Sequence, residues 1–236
     1  MKNITLLALD TSTEACSVAL WHKGEKTYLD ELAQRTHTKR ILPMIDELLV
    51  NSGINLKQVD ALAFGRGPGS FTGVRVGAGI AQGLALGADL PVIAVSNLTA
   101  MAQAAFELHQ AENVAAAIDA RMNEVYFSQV KREKVRSEFG EFFQWSPVIE
   151  EQVCQPEKVL EQLSDLTSYR VGTGWAAYPQ FKDSSLEGSD IILPSAQYIL
   201  DLALTDYAHN KIISALEIEP VYLRNEVTWK KLPGRE

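Results

Sequence analysis

The stretch GRGPGSFTG at residues 65–73 packs four glycines and a proline into nine positions. Neither a helix interior nor a strand tolerates that composition. The stretch lies between an apolar run that reads as a buried strand and the start of a helix. Backbone N–H groups placed there could cradle an anion, helped by the helix dipole. Gly67, Gly69 and Ser70 are the candidates. No G-K-[ST] closes the loop, so it is not a Walker A loop. The plainer reading is a tight strand-to-helix turn that needs positive φ. A second candidate is Asp10, Thr11 and Ser12, a carboxylate and hydroxyls at the end of an apolar strand. Such a set suits Mg²⁺ and phosphate. A phosphate turn would want a glycine close after the aspartate, and the first glycine is Gly24. The alternative is a turn capped by its own side chains.

Other chemistry is sparse. The histidines His22, His37, His109 and His209 show no H-x-x-x-H or H-E-x-x-H spacing. Cys16 and Cys154 form no C-x-x-C pair and read as small buried residues in a reducing compartment. No catalytic residue and no metal ligand set is assigned. The net charge of −8 repels phosphate backbones and argues against an autonomous nucleic-acid binder. A subunit whose partner brings the basic surface stays open. The basic cluster Lys131, Arg132, Lys134 and Arg136 reads as a solvated hairpin tip, with a small RNA contact as the alternative. The first apolar run, 4–9, is too short for a signal peptide. The run 74–95 is broken by Arg75, Gln82 and Asp89 and is no membrane span. A cytoplasmic protein is expected.

The elements that must position these residues follow from periodicity. Residues 4–9, 16–21 and 26–32 read as three strands joined by short turns, an antiparallel meander. Residues 37–51 carry apolar side chains at helical spacing, with Gly53 as the stop. Pro43 fits only the first turn of such a helix. A strand at 60–64, the glycine loop, a helix at 74–87, a strand at 91–95 and a helix at 97–109 complete the order βββαβαβα. That order resembles the ribonuclease-H-like core of the actin, hexokinase and Hsp70 (ASKHA) superfamily, an α/β fold. The second half starts again: a strand at 114–118 ends in Asp119, as the first ends in Asp10. Asp10 lies eight residues before Val18, and Asp119 eight before Phe127. Strands at 124–131 and 169–172 and helices at 156–163 and 195–211 follow. Two duplicated subdomains are expected, 1–110 and a looser 111–236.

Two helices are more apolar or smaller than a surface helix needs. In 37–51, Ile41, Ile45 and Leu48 fall on one face and Leu42 and Leu49 on a neighbouring one. In the helix after the glycine loop, Gly73, Gly77, Ala81 and Ala85 recur every four residues, as do Gly79, Gly83 and Gly87. Each interior glycine costs about 1 kcal/mol against alanine, so another backbone must approach closely. One stripe can pack on the sheet and the other could meet a second chain. Internal packing of both is the alternative.

The segments LALDTSTEACSVAL, THTKRILPMIDELL, GRGPGSFTGVRVG, IDARMNEVY and PVYLR resemble the TsaB (YeaZ) family of bacterial tRNA threonylcarbamoyladenosine biosynthesis proteins. The resemblance runs from residue 4 to about 224. It implies a duplicated fold shared with TsaD, the catalytic subunit that transfers threonylcarbamoyl from an adenylate to the adenosine 3′ of the tRNA anticodon. TsaD holds a metal through an H-M-E-G-H helix, and Asn97 and Met101 stand where its two histidines would be. A neutral amide and a thioether make no hard-cation site, which also argues against a metallopeptidase. The resemblance therefore implies a non-catalytic scaffold subunit with no cofactor of its own. ATP and a metal ion belong to its partners: TsaD, the ATPase TsaE and, upstream, TsaC. It implies contact with tRNA only through the complex and a homodimer when alone. It places the partner surface on the two N-terminal helices, at His37, Ile41, Leu42, Ile45 and Leu48 and at Val74, Gly77, Ala78, Ala81 and Ala85. The competing reading is an independent ATPase of the superfamily, with nucleotide between the lobes near Asp10, the 65–73 loop and Asp119.

Overall fold

The computed structural model describes residues 3–33, 36–137, 140–163, 167–182 and 188–224. Strands β1 (Leu6–Asp10), β2 (Ala15–His22) and β3 (Glu25–Leu32) form the meander, followed by α1 (His37–Asn51), β4 (Ala61–Gly65), α2 (Phe71–Ala88), β5 (Val92–Val95) and α3 (Asn97–His109). The sheet order is β3-β2-β1-β4-β5, with β1 antiparallel to β2 and parallel to β4. All five residues of β1 are buried because both faces of the sheet are covered. Alternate residues divide between the faces. Leu7 and Leu9 pack with Leu62 and Phe64 against α1 and α2. Leu6 and Ala8, with Ala61 and Ala63, face the other way.

The second lobe repeats the pattern. Strands β6 (Asn113–Asp119), β7 (Val125–Ser137) and β8 (Gly140–Cys154) are followed by α4 (Pro156–Gln162), β9 (Tyr169–Val171), the short α5 (Gly174–Ala177) and α6 (Ala196–Ala208). The order is β8-β7-β6-β9, with β6 antiparallel to β7 and parallel to β9. The two hairpins are offset by one residue: Asp10 pairs with Ser17, but Asp119 pairs with Val125. The equal eight-residue spacings therefore do not mark equivalent positions.

A division at 110 separates the sheets but not the layers. The second-half helix α6 buries Ile199, Leu200 and Ala203 on the first sheet. Helix α3, from the first half, buries Leu98, Met101 and Ala105 with Val114, Ala116 and Val171 of the second. Each helix covers the sheet of the other half, because only there does its apolar stripe find an uncovered face. The last twelve residues of the 111–236 unit lie outside the described residues.

Three local expectations change. Helix α1 runs through Pro43 in its interior. Pro43 and Lys39, whose carbonyl loses its i+4 donor there, are both exposed, so water serves the freed oxygen. Helix α2 begins at Phe71, capped by the Ser70 hydroxyl, which accepts from Gly73 N at 3.0 Å. The basic cluster 131–136 is no hairpin tip. It lies along β7, paired to residues 141–146 of β8 in a long two-stranded arm. Helix α1 stops as expected, with Ile54 N on Leu49 O and Gly53 N on Val50 O, both 3.0 Å, around Gly53 at φ +68°. Among the described residues no helix is long and apolar enough to cross a membrane.

Candidate functional site

The turn after β1 and the glycine loop after β4 meet at the ends of adjacent parallel strands, where such folds place ligands. Here they are knotted to each other. Asn97, the first residue of α3, donates from Nδ2 to Asp10 Oδ1 at 2.7 Å and to Ser12 Oγ at 2.9 Å. Its Oδ1 accepts from Gly67 N at 2.7 Å, and its own N donates to Gly67 O at 3.0 Å. Asp10 Oδ2 accepts from Ser12 Oγ at 3.0 Å and Ser12 N at 3.3 Å. Ser70 N donates to Ser12 O at 2.7 Å, and Thr11 Oγ1 to Gly73 O at 2.7 Å.

The glycines make this contact possible. A Cβ on Gly69 would lie 2.8 Å from Ser12 Cβ, and one on Gly65 would lie 2.6 Å from Asn97 Nδ2. A Cβ on Gly73 would collide with Thr11 O. Asp10, Thr11 and Gly67 are tied up in this clasp, in line with the readings of a tight turn and a self-capped turn, while Ser12, Gly69 and Ser70 of the alternative anion cradle border the space between the lobes. Asp10, Thr11 and Ser12 are buried, and their hydrogen-bonding groups are spent on one another. Burial pushes the Asp10 carboxyl up to about 7, against the opposing hydrogen bonds from Asn97 and Ser12. A carboxylate ringed by donors offers no free oxygen to Mg²⁺. Of the candidates only Ser70 is exposed.

Met101 is fully buried in the second core, so it presents no sulfur to a site. Among the described residues no three His, Cys, Asp or Glu side chains gather as a metal site.

Beyond the knot lies a cleft of about 630 Å³ between the lobes. One wall carries Ser70, Phe71 and Arg75, and the other Arg121, Met122 and Tyr126, with Tyr222 from the C-terminal segment. The Arg75 guanidinium stacks 3.3 Å from the Phe71 ring centroid and 4.8 Å from that of Tyr222. The turn after β6 was not foreseen in its form. Arg121, Met122 and Asn123 all have positive φ, between 55° and 62°. Non-glycine residues pay roughly 1–2 kcal/mol each for that conformation. Asp119 holds the turn by accepting from Arg121 N at 2.9 Å, and Arg224 holds it by donating to Ala120 O at 3.1 Å and to Glu124. The only sequence signal was the small and polar DARMN run.

The residues assigned to a partner surface divide sharply. Ile41, Ile45, Leu48, Val74, Ala78, Ala81 and Ala85 lie in the chain's own core, each at most 4% exposed. Gly77 is closed by Thr11, whose Oγ1 would sit 2.9 Å from a Cβ. His37 is half-buried and donates from Nε2 to Thr13 O at 2.7 Å. Only Leu42, 47% exposed, faces outward. The stripe that faces the sheet is thus Gly73, Gly77, Ala81 and Ala85. The other stripe, Gly79, Gly83 and Gly87, is open, with nothing within 4 Å of a built Cβ. Leu86, three residues after Gly83 on the same helix, is 56% exposed, and Val50 near the end of α1 is 65% exposed. The arm contributes contacts that sequence reasoning missed: Glu151 of β8 accepts from Arg66 Nη2 at 3.0 Å and from Ser96 Oγ, bracing the base of the glycine loop.

Two lobes, each built on an antiparallel meander with a parallel fourth strand, define an α/β protein with a ribonuclease-H-like strand order in each half. A family model described as "TsaD: tRNA N6-adenosine threonylcarbamoyltransferase" matches residues 26–213. The tRNA threonylcarbamoyladenosine biosynthesis protein TsaB of Haemophilus influenzae is 77% identical over 236 residues, covering 100% of both chains. The TsaB of Escherichia coli is 49% identical, covering 98% of this chain and 99% of the other. The solved structure of YeaZ from Pseudomonas aeruginosa superposes with a TM-score of 0.82 at 42% identity, covering 93% of this chain and all of that one. The chain belongs to the TsaB family.

Proposed function

We propose that this protein is the non-catalytic scaffold subunit of the complex that forms threonylcarbamoyladenosine on tRNA, and that its partner is a TsaD-like catalytic chain. The observation that carries the reading is the fate of the two positions matching TsaD's metal histidines. Asn97 ties the glycine loop to Asp10, and Met101 fills a core. The machinery of a transferase has become internal structure. Leu42 and Val50 of α1 and Gly83 and Leu86 of α2 are turned outward on the two helices that the resemblance assigns to the partner. The glycines admit a close backbone, and the aliphatic side chains supply apolar area. On this reading the same helices make the homodimer when the chain is alone, TsaE and TsaC act beside the complex, tRNA is met only through it, and the setting is the cytoplasm.

Sedimentation of the chain alone, then mixed one to one with the TsaD-like chain, tests this. The expected result is a homodimer replaced by a heterodimer, with Leu86→Glu or Gly83→Arg blocking both. Leu108→Glu, an exposed leucine on α3, should change neither. Independent sedimentation of the two wild-type chains, with TsaE and ATP present, would remove the basis of the proposal. The second reading, a nucleotide between the lobes, draws on the cleft and its Phe71–Arg75–Tyr222 stack. Calorimetry with Mg·ATP decides it, and the closed knot at Asp10 predicts no heat.

A further inference from the structure

The arm's basic cluster is mostly neutralised by its own hairpin. Lys134 and Arg136 share Glu141 on the facing strand, the latter at 3.5 Å. Arg132 is different. Its guanidinium lies between the ring of Phe106 from α3, 3.7 Å to the centroid, and that of Phe143 from β8, 3.9 Å. The side chain is only 17% exposed. Its one carboxylate neighbour, Glu112 Oε1, is 3.9 Å from Nη1, beyond hydrogen-bond reach. Among the described residues no acceptor takes a hydrogen bond from this guanidinium. Arg40, Arg66 and Arg224 each donate to a carboxylate.

A guanidinium has five donors in a rigid planar fork, and those of Arg132 are not among the fully buried polar atoms of the described residues, so they stay open to an acceptor from outside the chain. The two rings close both faces of the plane and leave the donor edge. Arg132 lines a cavity of about 250 Å³, together with Arg66, Lys211, Thr99 and Gln103. The acids on the same wall are already engaged: Asp201 with Lys26 at 2.7 Å and Asp206 with Lys211 at 3.4 Å. Trp145 Nε1 donates to Gln103 Oε1 at 2.9 Å and pins the arm over the cavity, so the fork is held before any ligand arrives.

We infer that Arg132 anchors a binding site for an oxyanion, the carboxylate or phosphate group of a small polar molecule. The oxyanion supplies the in-plane acceptors that the fork lacks. The cavity falls below the usual range for drug-sized ligands, which limits the molecule to about the size of an amino acid or a sugar phosphate. The site lies on the arm and α3 rather than on α1 and α2, and does not depend on the scaffold reading.

Titration of the full chain with inorganic phosphate and with acetate at fixed ionic strength, followed by calorimetry or NMR shifts, tests it. Saturable binding of at least one anion with a Kd of about 10 mM or tighter is expected. Phosphate bound more tightly assigns a phosphate ester, acetate more tightly a carboxylate, and equal affinity an oxyanion site without preference. Arg132→Gln should weaken binding about tenfold or more, and Arg132→Lys should recover part of it. Glu112→Gln, which removes the competing acid, should tighten it. The Glu112→Gln readout stands even if Arg132→Gln fails to fold. No saturable binding by the wild-type chain, equal binding by a folded Arg132→Gln, or unchanged or weaker binding by Glu112→Gln would overturn the assignment.

Discussion

Replacing Asp10 by asparagine should make the protein less sensitive to pH. Asp10 is fully buried, and desolvation raises its carboxyl from 3.8 to about 7 in the folded state, although Asn97 and Ser12 donate to it. Between these two values the folded chain binds more protons here than the unfolded chain does. Stability from this group is therefore complete below about pH 4 and drains away as pH rises towards 7. A shift of about three units corresponds to about 4 kcal/mol. Asparagine is neutral at every pH and so removes the titration, while its amide NH2, set where an oxygen now accepts from Ser12 N, carries a cost that does not vary with pH. Other carboxyls also shift on folding, Asp30, Asp201 and Asp206 raised by burial and Glu31 lowered by its hydrogen bonds from Arg40, so the wild-type curve alone is composite. The difference between wild type and Asp10→Asn isolates the site. Urea unfolding at several pH values from about 4 to about 8 should show the variant gaining on wild type by up to about 4 kcal/mol as pH rises. Parallel curves for the two proteins would refute the reasoning, and a gap that narrows with rising pH would reverse its sign.

Three further perturbations follow from the local surroundings of single residues. Gly65→Ala drives a methyl group into Asp10 Oδ1 and to within 2.6 Å of Asn97 Nδ2, and should cost about 3 kcal/mol or more in a urea titration. Gly83→Ala meets nothing within 4 Å and should stabilise the isolated chain by up to about 1 kcal/mol. Arg224→Met removes the donor that holds the Ala120 carbonyl and pairs with Glu124. The variant should lose about 2 kcal/mol in urea unfolding, and its amide hydrogens across 119–125 should exchange faster by a larger factor than those of the rest of the chain.

The first lobe was readable because its signals are local. Apolar period and a glycine stop mark α1, and β1 is a short run with no polar residue before Asp10. Strand β8 was not readable. Its sequence GEFFQWSPVIEEQVC does not alternate cleanly and contains Pro147, which an edge strand tolerates and a central strand does not. Only pairing with β7 makes it a strand. Periodicity showed two apolar faces on α1 but could not say that Ile41, Ile45 and Leu48 turn inward while Leu42 turns out. The glycine loop was found by composition. The plainer reading, a tight turn needing positive φ, holds at Gly67, whereas the clasp was hidden because the approach of Gly69 to Ser12 joins positions that are distant in sequence. An anion cradle and a backbone clasp need the same residues.

Asn97 sits at a junction. Its side chain belongs to the first lobe's knot, while the helix it begins is rooted in the second lobe's core. Any swing of one lobe against the other must turn α3, and turning α3 pulls the amide from Asp10 and Gly67 together. The helix behaves as an axle keyed at one end. A change in the width of the cleft therefore costs both of these hydrogen bonds at once, so a single amide couples the geometry of the two halves.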